Sequence, residues 1–182
     1  MNKLLQIAER ISQYAVWAGG TVLLLTCFMI AVEVVLRKGF AVSMGGADEI
    51  SNYALAMSTS WAFAYTLFRR AHIRIDVLYI RLHLVLRYVL DIVSLLLFAL
   101  FMTIVSYYAW LVLSTTIARQ SVANTPLATP LWIPQSLWLI GLLGFTAAIF
   151  LILAGVIYNL LTGNTARARE LASATTLEEE IE

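Results

Sequence analysis

Hydrophobic residues fall into long unbroken runs along this chain, and polar residues collect between them. The sharpest boundary ends Ile50–Phe68, nineteen residues without a charge, which lead into Arg69-Arg70 and then His72-Ile73-Arg74-Ile75-Asp76. Such a run can span a bilayer, because about 20 residues rising 1.5 Å each cover roughly 30 Å of hydrocarbon. Three other runs are long enough. Ile11–Val32 is uncharged, and its helix is predicted to continue through Glu33 to about Leu36. Ile92–Ala118 has 27 residues, more than the hydrocarbon needs, so it must tilt or protrude. Gln120–Ala166 is again free of charge, but Pro126, Pro130 and Pro134 break its first part. Proline removes a backbone donor and clashes with the preceding turn. The expected fold is therefore an all-α membrane protein with four transmembrane helices, over about 11–36, 50–68, 92–118 and 134–161. Residues 1–165 form the membrane domain. Residues 166–182, ending in the Glu-rich Leu177–Glu182, are expected to be a disordered tail.

Residues 69–87 form an interfacial element between the second and third crossings. The alternation from His72 to Val77 has the period of a strand. An isolated strand at a membrane surface would leave its backbone groups unpaired, so helix is the better reading. At 100° per residue, Ile75, Leu78, Leu82, Val85 and Leu86 share one side, with Arg70, Arg74 and Arg81 in a stripe beside them. His72, Asp76, His83 and Arg87 form a second polar stripe, and Ile73, Val77, Ile80 and Leu84 a second apolar one. A helix lying only on lipid has one apolar face. Two apolar faces suit an element held between lipid and another protein surface.

Composition agrees with a membrane chain. Hydrophobic residues make up 61% and charged residues 13%, against about half and a quarter in soluble domains. The net charge of +1 says nothing about partners, and no nucleic-acid partner is expected, but the distribution of cations orients the chain. Lys3, Arg10, Arg69, Arg70, Arg74, Arg81, Arg87, Arg167 and Arg169 fall on one side, and Arg37, Lys38 and Arg119 on the other. This nine-to-three split places both termini in the cytoplasm by the positive-inside rule. The first run follows Lys3 and Arg10 as a secretory signal would. It is too long for one and lacks a small-residue cleavage site, so it is expected to be retained.

Candidate chemistry is sparse. Cys27 is the one cysteine and lies within an apolar run, which excludes a disulfide framework and a Cys metal cluster. Glu33 precedes Arg37 by four residues and Arg87 precedes Asp91 by four, so each pair can meet on one helix face. His72 and Asp76 share a face, but two ligands do not make a metal site, and no cofactor is expected. Asp48 and Glu49 precede the second crossing, where carboxylates suit a helix N-terminus. Ala54, Ser58 and Ala62 recur at i+4 on that helix, as do Gly144 and Ala148 on the fourth, and small residues at this spacing let helices approach closely in lipid. Trp132 and Trp138 flank the start of the fourth crossing like an interfacial anchor. No nucleophile–base pair, phosphate loop or broken, repeated half is present, so neither an enzyme nor a stand-alone carrier is expected.

Several motifs occur together in order. They are Asp48-Glu49-Ile50-Ser51, a span containing Trp61, Arg70-x-His72-Ile73-x-Ile75-Asp76, Tyr107-Tyr108-Ala109-Trp110, and a Thr125-Pro126…Pro134 connection. In this combination the chain resembles the small membrane subunit of tripartite ATP-independent periplasmic (TRAP) transporters over roughly residues 10–160. It departs at Leu67-Phe68-Arg69-Arg70-Ala71, where family members often carry glycine before the His motif. The resemblance implies a bacterial or archaeal inner-membrane protein. Its partners would be a large permease subunit and a periplasmic binding protein met transiently through the outward loops. In such systems an organic acid delivered by the binding protein is taken up on a sodium gradient, and the small subunit acts as a scaffold for the permease. Asp48, Glu49, Ala54, Ser58, Ala62, Arg70, His72, Arg74 and Asp76 are the family-motif and partner-packing candidates. The alternative is a scaffold subunit of another membrane complex, which should lack the paired motifs.

Overall fold

The structure is a computed structural model that describes residues 2–69 and 83–163. Four helices follow in chain order: α1 (Asn2–Phe40), α2 (Ala47–Phe68), α3 (Leu84–Arg119) and α4 (Trp132–Leu161). No strand occurs among the described residues; one isolated antiparallel bridge pairs Val122 with Pro130 in the α3–α4 connection. The all-helical expectation holds, with three differences.

First, the helices outrun the apolar cores that predicted them. α1 extends from Asn2 to Phe40 instead of about 11–36, and α3 starts at Leu84 instead of Ile92. Nothing stops α1 at the bilayer edge, since Lys3, Glu9 and Arg10 are all good helix formers. Second, the interfacial element as bounded at 69–87 is cut back. Arg69 caps the C-terminus of α2, His83 caps the N-terminus of α3, and residues 84–87 are the first turn of α3. The segment 70–82 lies outside the described residues, as does the tail 166–182.

Third, three of the described helices are long and apolar enough to cross a membrane: Lys3–Phe40, Val89–Arg119 and Trp132–Leu161. α2 is not among them, because uncharged is not the same as apolar. It carries Ser51, Asn52, Ser58, Thr59, Ser60 and Thr66 within 22 residues. Most of these hydroxyls are satisfied inside the helix. Thr59 donates to the Leu55 carbonyl at 2.6 Å, Ser60 to Met57 at 2.8 Å and Thr66 to Phe63 at 2.8 Å.

The helices pack in the spatial order α1–α2–α4–α3, with little direct contact between α1 and α4. α2 and α4 are therefore the inner pair. α4 is the most enclosed of the long helices and supplies much of the core, including Leu142, Phe145, Ile149 and Val156. Phe145 bridges its neighbours, its ring centroid 5.4 Å from Phe63 of α2 and 5.5 Å from Phe98 of α3. The outer helices leave wide apolar faces uncovered, such as Trp17, Leu24 and Phe28 on α1 and Leu97, Leu100 and Tyr108 on α3. Exposure on this scale suits lipid or a partner in the membrane rather than water.

Candidate functional site

Two close helix crossings hold the row together. At the first, a Cβ built on Gly19 of α1 would lie 3.1 Å from the Ser58 Cα, and the Ser58 hydroxyl donates to the Gly19 carbonyl at 2.9 Å. At the second, a Cβ on Gly141 of α4 would lie 2.8 Å from the Ser60 carbonyl carbon and 2.6 Å from the Trp61 ring. There the Trp61 indole N–H donates to the Leu137 carbonyl at 2.9 Å. Removing the Cβ lets backbones meet where lipid offers no hydrophobic drive for association. A buried hydroxyl pair, Ser106 and Thr146 at 2.9 Å, joins α3 to α4.

These contacts fix where the packing candidates sit. Ala54 and Ser58 are buried, and Ser58 is spent on α1 of the same chain; Ala62 is half-buried. Ala148 is buried, whereas a Cβ on Gly144 would meet nothing within 4 Å. Gly144 instead faces an apolar groove of about 550 Å³ across α1, α2 and α4, where Ala15, Ala18 and Ala147 also lie. Sequence spacing singled out Gly144 but missed Gly19 and Gly141, whose signal was only a glycine in an otherwise apolar helix.

The acidic candidates gather at one end of the row. Glu33 pairs with Arg37 as its spacing suggested, with Arg37 Nη2 at 2.8 Å from Oε1. The buried Glu33 carboxylate also accepts from the Ser43 hydroxyl at 2.7 Å and the Met44 backbone N–H at 2.8 Å. It therefore holds the α1–α2 connection. Asp48 lies exposed in the first turn of α2. Glu49 is buried, and its side chain does not cap α2 as expected: the N-cap is Gly46, with no side-chain cap bond. It accepts hydrogen bonds from Thr125, 76 residues away, and from Tyr53 at 2.9 Å on its own helix.

Hydrogen bonds from Thr125 and then Thr129 hold the Glu49 carboxyl below the usual carboxylate range, against the opposing pull of burial. A lowered folded-state value gives a contribution that is present above the unfolded carboxylate pKa and lost as pH falls through the folded one. No spacing rule links Glu49 to Thr125 or Thr129, so the sequence carried no sign of this contact.

Asp91 is buried, while the Arg87 side chain lies outside the described residues, as do Arg70, His72, Arg74 and Asp76. Among the described residues no group of three or more His, Cys, Asp or Glu side chains could hold a metal ion. The arrangement is one of packing surfaces and tethered connections.

A family model described as tripartite ATP-independent periplasmic transporters, DctQ component, covers residues 26–163, about three quarters of the chain. That family is a transporter component and not an enzyme family. No curated protein and no solved structure matches the chain.

Proposed function

Because the chain belongs to the DctQ component family of tripartite ATP-independent periplasmic transporters, we propose that it is the scaffold on which a larger permease subunit is held in the membrane. The family match over residues 26–163 carries this reading. The wide apolar faces of α1 and α3 and the open groove beside Gly144 support it, since a membrane scaffold must leave surface for its partner. The permease would move an organic acid on a sodium gradient, after delivery by a periplasmic binding protein. This chain supplies no substrate or ion ligand in that scheme. Glu33 and Glu49 are engaged in holding connections.

α2 serves as the fourth crossing in this reading, from about Ile50. The 19 residues from Ile50 to Phe68 measure about 28 Å, and α2 packs between α1 and α4, both apolar enough to cross. The nine-to-three cation split puts both termini in the cytoplasm of a cell with an inner membrane, and the connections after α1 and α3 outside. A reporter active only in the cytoplasm should be active when fused after Glu182 and silent when placed within 120–131. The opposite pattern would overturn the orientation.

Assembly is tested at the groove. Gly144→Leu or Ala15→Leu fills space that is open in this chain, so the chain should keep its own stability while recovering several-fold less permease in a mild-detergent pull-down. Ser58→Leu strikes the α1–α2 contact instead and should lower the abundance of this chain itself. Unchanged recovery with both groove variants would remove the groove from the interface. Full uptake in cells lacking the chain would end the scaffold reading.

A further inference from the structure

The two buried carboxylates at the α2 N-terminal end serve connections that touch each other. Glu33 holds Ser43 and Met44, in the α1–α2 connection. Glu49 holds Thr125, in the α3–α4 connection. Between these anchor points the connections meet. A Cβ on Gly45 would lie 3.9 Å from the Pro126 Cβ, and a Cβ on Gly46 would overlap the Leu127 side chain. The α3–α4 connection is itself a small hairpin. Ala128 N–H bonds to the Thr125 carbonyl at 3.0 Å, Ala123 to Thr129 at 2.9 Å, and Leu131 to Ser121 at 3.1 Å.

Both connections also hold a non-glycine residue in left-handed backbone. Ala41 has φ 54° and Ala128 φ 46°, left-handed conformations that favour glycine and that alanine adopts only when its surroundings impose them. Neither connection contains a charged residue between 41 and 46 or between 120 and 131. Each is met by a carboxylate from a helix.

We propose that Glu33 and Glu49 are a coupled pair of latches that fasten the two connections into one rigid cap, so that releasing either carboxylate loosens both connections. Coupling runs through the Gly45–Gly46 contact with Pro126–Leu127. A partner arriving at this end of the chain meets one preformed surface and not two independent loops. Glu33 and Glu49 act as positioning residues, through the backbone they hold.

Amide hydrogen exchange on the full chain in detergent micelles tests the coupling. Glutamine keeps an acceptor oxygen but loses the charge, which roughly halves the strength of the hydrogen bonds it accepts and shifts a local opening equilibrium by about fivefold to tenfold. Glu49→Gln should speed exchange by about that factor across 121–131 and also across 41–46. Glu33→Gln should do the same in reverse, beginning at the Met44 amide. Thr125→Val removes the donor from the loop side, leaves α2 intact, and should reproduce the Glu49→Gln pattern. Asp48→Asn, at the exposed neighbour, should change neither segment. Amides of Phe145–Ile149 should stay protected in every variant. Release confined to the connection whose own latch is lost overturns the coupling. So does an equal effect from Asp48→Asn, and so does faster exchange in Phe145–Ile149, which would make the carboxylates supports of the whole fold.

Discussion

Gly141→Val should destabilise the chain by about 3 kcal/mol, the upper end of what overpacking costs. The reason is what the new side chain would strike. A Cβ at this position would already lie 2.8 Å from the Ser60 carbonyl carbon, closer than real Cβ atoms come to backbone. A side-chain obstacle could rotate aside, but Ser60 is within the α2 helix and is almost completely buried. Relief therefore requires α2 and α4 to separate, which also breaks the Trp61–Leu137 hydrogen bond. Gly144→Val, three residues on, serves as the control, because a Cβ there meets nothing within 4 Å. Thermal unfolding in detergent, with the amount of chain recovered from membranes, measures both. Equal stability of the two variants would show that α2 and α4 do not cross at Gly141.

The contrast between these two glycines shows how far the sequence could be read. Long uncharged runs located all four helices, because backbone groups in lipid must be satisfied within the segment and helix is the local way to do it. The Glu33–Arg37 pair was legible for a related reason: four residues bring side chains together on any helix. Which face of a helix meets which neighbour is a different question. Gly144 fits an i+4 small-residue pattern with Ala148 yet faces an open groove, whereas Gly141 fits no such pattern and sits at the closest crossing. Helix periodicity fixes relative positions on one cylinder and says nothing of the rotation of that cylinder against others.

Two other features were illegible for similar reasons. The hydroxyls of α2 hid its lower apolarity, since counting charges alone treats serine as leucine. The tie between Glu49 and Thr125 spans 76 residues and is created by the packing of α2 against α4, which brings the α2 N-terminus under the α3–α4 connection. A carboxylate in the first turn of a helix has a sufficient local explanation in the helix dipole. That explanation describes the exposed Asp48. It does not describe the buried Glu49.

Phe145→Ala should have the second large effect. In a water-soluble protein, truncating a buried phenylalanine costs about 3–5 kcal/mol, from lost transfer free energy and the cavity left behind. In a membrane the transfer part shrinks, because lipid tails are as apolar as the protein interior. The packing part stays. Phe145 is 2% exposed and meets Phe63 and Phe98 on opposite neighbours, so its removal opens a void that no single helix can fill by rotating. A loss of about 2–3 kcal/mol is expected, read from the unfolding midpoint in mixed micelles. Phe150→Ala, at a residue 48% exposed on the same helix, should change it by less than about 0.5 kcal/mol. The double variant Phe98→Ala/Phe145→Ala should fall short of the sum of the singles by about 0.5–1.5 kcal/mol, the coupling expected of an aromatic pair. Strict additivity would mean that the two rings do not support each other. A Phe145→Ala loss no larger than that of Phe150→Ala would mean that this cluster does not hold α4 between its neighbours.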